Sequence, residues 1–95
     1  MQYVFIMHNS ATVNVPNGKL LEVDVSYHNR ITDVQLTGDF FLQPPESRTA
    51  LEAAIENQPV DVSREALVEA IENVDARLIG FNAGHLADAT LEAIE

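Results

Sequence analysis

The 95-residue chain has no cysteine, a single lysine, four glycines and no long hydrophobic run, and each shortage closes off a class of function. Without cysteine there is no disulfide framework, no thiolate metal site and no thiol nucleophile, which fits a reducing cytoplasm. With one lysine and four arginines there is no basic cluster to neutralise phosphates, so nucleic acid is not an expected partner. The four glycines form no phosphate-binding loop with its lysine, no dinucleotide fingerprint and no Gly-x-Ser-x-Gly elbow. The apolar opening, Met1 to Met7, is too short to span a membrane and lacks a basic n-region and a small-residue cleavage site. A cytosolic protein with no membrane contact is therefore expected. At this length one modest core forms and no second domain fits.

What the chain has in quantity is acid. Fifteen Asp and Glu residues give a formal net charge of −10, a surface that repels polyanions. Few lysines beside plentiful carboxylates suggest a source with a high-salt, halophilic cytoplasm, where self-repulsion is screened. An ordinary acidic protein is the plainer alternative.

The most informative stretch runs from Lys19 to Leu42. Leu21, Val23, Val25 and Tyr27 alternate with Glu22, Asp24, Ser26 and His28, which puts the apolar side chains on one face of a strand. After a turn at His28-Asn29-Arg30, where Asn29 tolerates a left-handed backbone, Ile31, Val34 and Leu36 resume that face beside Asp33, Gln35 and Thr37. One-sided burial sets the register, since a one-residue slip turns the apolar set to water. Before the hairpin, Tyr3 to Met7 and Ala11 to Val15 read as strand runs separated by a turn at His8-Asn9-Ser10, and Pro16-Asn17-Gly18 is a turn signal. The strands before Pro44 thus form a three-stranded antiparallel meander, or a four-stranded one if the first residues pair separately.

Everything after Pro44 reads as helical. Proline ends the sheet at Gln43-Pro44-Pro45. A first helix runs from about Pro45 or Glu46 to Asn57 with Ala50, Leu51, Ala54 and Ile55 on one stripe, and Gln58-Pro59 stops it. Ser63 is the expected N-cap of a second helix, with Leu67, Val68, Ile71 and Val74 inward and Glu65, Glu69 and Glu72 outward. Leu78-Ile79-Gly80-Phe81 reads as a short apolar connector. Asn82 is the expected cap of a third helix carrying Leu86, Thr90, Leu91 and Ile94. The expectation is an α+β domain, a three-stranded antiparallel sheet followed by three helices packed on one face. Its core is Leu21, Val23, Val25, Val34, Leu36, Leu51, Ile55, Leu67, Ile71 and Leu86.

Catalytic and metal chemistry finds little support. His8, His28 and His85 fall in unrelated segments with no ligand-type spacing, and read as surface residues. Carboxylate pairs such as Glu22 with Asp24, or Asp33 with Asp39, are what an acidic outer strand face gives by default. Lys19, after a turn glycine, reads either as a point charge for an anion or as a solvated side chain. The exception to the ordinary pattern is Gly38-Asp39-Phe40-Phe41, where alternation breaks into two adjacent aromatics behind a glycine that permits positive φ or a close backbone approach. Either both phenylalanines close the core, or one of them, with Asp39, faces a partner protein.

The run Val13 to Leu42, with VPNGKLLEVDV and ITDVQLTGDFFL, and the later LIGF at Leu78 to Phe81, resembles the C-terminal domain of lipoate-protein ligases, in the form that occurs as a separate small subunit in archaea. The likeness runs from about Ala11 to Ile94, and is sharpest at the Pro16-Asn17-Gly18-Lys19 turn and the Gly38-Asp39-Phe40-Phe41 exit. It implies a fold akin to that of iron-sulfur scaffold and sulfur-acceptor proteins, although this chain lacks the cysteines those proteins work through. It also implies an accessory subunit with no catalytic residue, cofactor or metal of its own. A separate catalytic chain would bind lipoate and ATP, and this domain would dock on it to permit lipoyl-adenylate formation before transfer to a lysine of a lipoyl carrier domain. Gly38, Asp39, Phe40 and Phe41, then Gly18 and Lys19, are the implied partner-binding residues. The sequence departs from the family at Asn14, where a basic residue commonly precedes the turn. The alternative is a protein-protein interaction module unrelated to lipoate.

Overall fold

A computed structural model describes residues 6–15 and 19–94 of the protein. The elements run β1 (Met7–Val15), β2 (Lys19–Tyr27), β3 (Ile31–Gly38), β4 (Phe41–Gln43), α1 (Ser47–Ile55), α2 (Arg64–Glu72), β5 (Arg77–Ile79) and α3 (Ala83–Ile94). The first three strands form an antiparallel sheet in the order β1-β2-β3. Its register places Val23 opposite Ala11 on one side and Leu36 on the other. The expected core is found in full, with all ten of its residues at most 2% exposed. Each such aliphatic side chain contributes about 1.5–3 kcal/mol by leaving water.

The helices cover the apolar face. α3 packs on β1 and β2, α1 packs on β3, and α2 bridges α1 and α3. α3 reaches the sheet through small residues, Ala83, Ala87, Ala89 and Ala93, buried with Leu86 and Thr90; short side chains let the helix axis approach closely. The Thr90 hydroxyl donates to the Leu86 carbonyl at 2.8 Å, so its burial leaves no polar group unmatched. Both expected caps are present. The Ala66 N–H donates to Ser63 Oγ at 3.1 Å, and the His85 N–H donates to Asn82 Oδ1 at 2.9 Å.

The opposite face is polar and cross-linked. Thr12, Glu22 and Thr37 lie side by side across the three strands, and both threonine hydroxyls donate to the Glu22 carboxylate at 3.3 Å. Glu22 thereby holds strands together, the role its place on the outer face predicts.

Several expectations are corrected. The stretch after Pro44 is not wholly helical: Arg77–Ile79 is a strand that pairs antiparallel with Phe41–Gln43 in a second, two-stranded sheet. Three residues are too few to display a two-residue period, so only the partner strand reveals it. Asn29 does not adopt positive φ; that backbone occurs at Asn57, φ 68°, where α1 ends two residues earlier than expected. The turn at 28–30 instead follows a register shift at Ser26/Tyr27 and is tied to the segment after α1, the Val60 N–H donating to the Asn29 carbonyl at 3.1 Å. Ala50 is exposed and off the inward stripe, and Val74 lies beyond the end of α2, half-buried. The Gln43-Pro44 peptide bond is cis. The expected turn at His8-Asn9-Ser10 is instead strand, since β1 runs unbroken from Met7 to Val15 with those three residues paired to β2, and a continuous ladder outweighs a local turn signal. Of the expected run Tyr3 to Met7, residues 3–5 lie outside the described residues, as does the turn over Pro16–Gly18.

Candidate partner-binding surface

The exit of the hairpin is built around Gly38, the last residue of β3. Its φ is +145°, and a Cβ there would stand 2.2 Å from the Leu20 carbonyl oxygen, so only glycine fits the backbone-to-backbone approach. The next N–H, of Asp39, donates to that same carbonyl at 2.9 Å. From this fixed point the chain leaves the main sheet.

The two adjacent phenylalanines then part. Phe40 is half-buried and its ring tilts against that of buried Phe81, centroids 4.8 Å apart and planes at 57°, a favourable aromatic geometry. Phe41 is 69% exposed. Thus Phe40 serves core closure, while Phe41 stands in solvent next to exposed Asp39. Gly80, φ +100°, lies under this crossing with Asp39 and Phe40 as its neighbours.

Pairing of β4 with β5 organises the outward side. Phe41 lies opposite Ile79, Leu42 opposite Leu78, and Gln43 opposite Arg77. Cross-strand partners share a face, and successive residues alternate. Leu42 and Leu78 accordingly turn inward, while Phe41, Ile79, Gln43 and Arg77 are all exposed. Beside Phe41 opens a groove of about 640 Å³ whose walls include Leu36, Gly38, Phe40, Glu46 and Arg48.

Gly38, Phe40 and Phe41 line this groove; Asp39 is exposed but is not among its lining residues. Gly18 lies outside the described residues, as does the side chain of Lys19, whose backbone begins β2. The contribution of Ile79 and Arg77 was not foreseen from the sequence. The one local signal was a short β-prone run, Arg77-Leu78-Ile79, ahead of Gly80.

Electrostatically the surroundings are unusual for so acidic a chain. Arg64 is committed to Asp88 at 2.7 Å, a hydrogen-bonded pair that raises its pKa above the ordinary arginine value. Arg30 Nη1 donates to the Asn57 carbonyl at 2.8 Å. Arg48, in the groove wall, stands 3.8 Å from Glu52. Arg77 forms no ion pair among the described residues. Among the described residues no cluster of three or more His, Asp or Glu side chains able to hold a metal occurs, and no helix is long and apolar enough to cross a membrane.

A meander of three strands covered on one face by α1 and α3 with α2 bridging them, and a two-stranded annex presenting an exposed aromatic, define a small α+β fold. The same fold occurs in a chain of a solved archaeal lipoylation system, a bi-partite lipoate protein ligase and its E2 lipoyl domain from Thermoplasma acidophilum. That chain superposes with a TM-score of 0.75 at 22% identity, over 90% of this chain and 97% of its own length. No protein-family model and no curated protein matches the sequence.

Proposed function

We propose that this chain is the accessory subunit of a two-chain lipoate-protein ligase. Its role is to dock on the catalytic chain and permit ATP-dependent formation of lipoyl-adenylate, ahead of transfer to a carrier-domain lysine. The observation that carries the reading is the fold shared, over nearly the full length of both chains, with a component of a bi-partite ligase system. The sequence resemblance at Gly38 to Phe41 supports it independently.

In this reading lipoate and ATP belong to the catalytic chain, and the lipoyl carrier is met only through it. The accessory chain acts by shape. Phe41 is its anchor, because large aromatic side chains buried on association dominate interface energies. Gly38 and the Phe40–Phe81 contact hold that anchor in place, and Asp39 stands at its rim. Neither nucleic acid nor membrane takes part, in keeping with a net charge of −10.

The test is co-purification with the catalytic chain followed by a lipoate-dependent adenylation assay, with and without this subunit. Adenylation that requires the subunit supports the reading. A catalytic chain that neither binds it nor responds to it leaves a protein-protein interaction module unrelated to lipoate.

A further inference from the structure

Two features of the annex are left over once Phe41 is named as an anchor: an apolar neighbour on a different strand, and an arginine with no counter-charge. Ile79 is 37% exposed and lies directly across the ladder from Phe41. Side chains so paired stand roughly 4.5–5.5 Å apart at Cβ, near enough to form one apolar knob. One ladder step of two residues, about 7 Å along the strand, brings the Gln43–Arg77 pair. The knob thus has a cation one ladder step away along its own face.

Charge decides which occupant fits. A second copy of a chain with net charge −10 is repelled, as is an anionic lipid surface. Elsewhere on the described surface the arginines have partners: Arg64 has Asp88, Arg30 has a backbone carbonyl, and Arg48 has Glu52. Among the described residues Arg77 is the exposed arginine whose side chain has neither an ion-pair nor a hydrogen-bond partner, and it sits on the strand that carries Ile79, across from Phe41, the largest of the exposed apolar side chains. A cation held out from so acidic a chain suits an acidic group on another protein.

We infer that β4 and β5 together form the docking face, and that the partner protein offers an apolar socket for Phe41 and Ile79 with a carboxylate facing Arg77. The inference rests on the docking role proposed above and fixes the chemistry of the surface it needs. The Arg77 charge sets the orientation of the partner and speeds encounter more than it adds affinity. The apolar pair supplies the affinity.

The experiment measures binding of the catalytic chain to the full-length subunit by calorimetry across a salt series, for wild type, Ile79→Ala, Arg77→Glu and the control Arg30→Glu. Circular dichroism first confirms that each variant is folded. The expected result is about a tenfold loss for Ile79→Ala and for Arg77→Glu, with Arg30→Glu within about twofold of wild type. The Arg77→Glu loss shrinks as salt approaches about 1 M, where the Debye length is about 3 Å, while the Ile79→Ala loss persists. Folded variants that bind like wild type overturn the inference and leave the ligase reading intact. Equal losses for the two arginine reversals also overturn it, since net charge alone then explains them. Sedimentation of the subunit alone as a dimer that Ile79→Ala dissociates would make the face a self-association surface, against the proposal. A wild-type subunit that does not bind the catalytic chain sinks the ligase reading, and this inference with it.

Discussion

The carboxylate of Glu52 accepts the backbone N–H of Leu36 at 2.9 Å, joining α1 to the outer edge of the main sheet. One helical turn on, Glu56 accepts from the Val34 N–H at 3.2 Å. β3 is an edge strand, and an unpaired edge is a template for unwanted strand addition. Two acids spaced i, i+4, one on α1 and one at its C-cap, cover this edge at Leu36 and Val34. Glu52→Ala is expected to destabilise the fold by about 1–3 kcal/mol, the cost of a partly buried donor left unmatched. Glu52→Gln, which keeps an acceptor, should lose less. Urea unfolding of the two variants checks the order, and an alanine variant as stable as the glutamine one would show that the contact contributes nothing.

Gly38 and Gly80 both have positive φ but differ in the space around them. An added Cβ meets the Leu20 carbonyl at 2.2 Å at position 38, and nothing nearer than 3.4 Å at position 80. Gly38→Ala should therefore cost about 2 kcal/mol or more, and Gly80→Ala less, since only backbone strain acts there. Thermal melts of the pair give the comparison directly.

Phe40 and Phe41 should separate stability from binding. Phe40→Ala removes the contact with Phe81 and is expected to destabilise by about 2 kcal/mol, as large-to-small changes in a core do. Phe41→Ala, at 69% exposure, should leave stability within about 0.5 kcal/mol. Its binding to the catalytic chain should fall about thirtyfold, the equivalent of about 2 kcal/mol. Asp39→Ala tests the rim beside it in the same pull-down. Should all three variants fold and support adenylation with wild-type concentration dependence, the hairpin exit only closes the core.

Salt should stabilise the chain. A net charge of −10 on 95 residues implies mutual repulsion among surface carboxylates, and raising KCl from about 0.1 M to 1 M shortens the Debye length from about 10 Å to about 3 Å. The expected outcome is a Tm that climbs with KCl. A melting temperature that stays put or falls would remove the case for adaptation to a salty cytoplasm.

Local pattern in the sequence settled the main sheet's inward and outward faces, the inward stripes of the helices apart from Ala50 and Val74, and the caps at Ser63 and Asn82. These are local matters: a period of two or of 3.6 and a capping side chain act within a few residues, so the chain states them wherever it folds. Gly38 was legible for the same reason, as a glycine placed where alternation stops. Tertiary structure decided the rest. Which of two adjacent phenylalanines faces water depends on Phe81, some forty residues on, and on a three-residue strand too short to announce itself. Whether an acid on a helix is solvated or seals a sheet edge depends on the strand beside it, as Glu52 and Glu56 do with Leu36 and Val34. Local rules set each element's faces, and contacts distant in sequence choose what those faces meet.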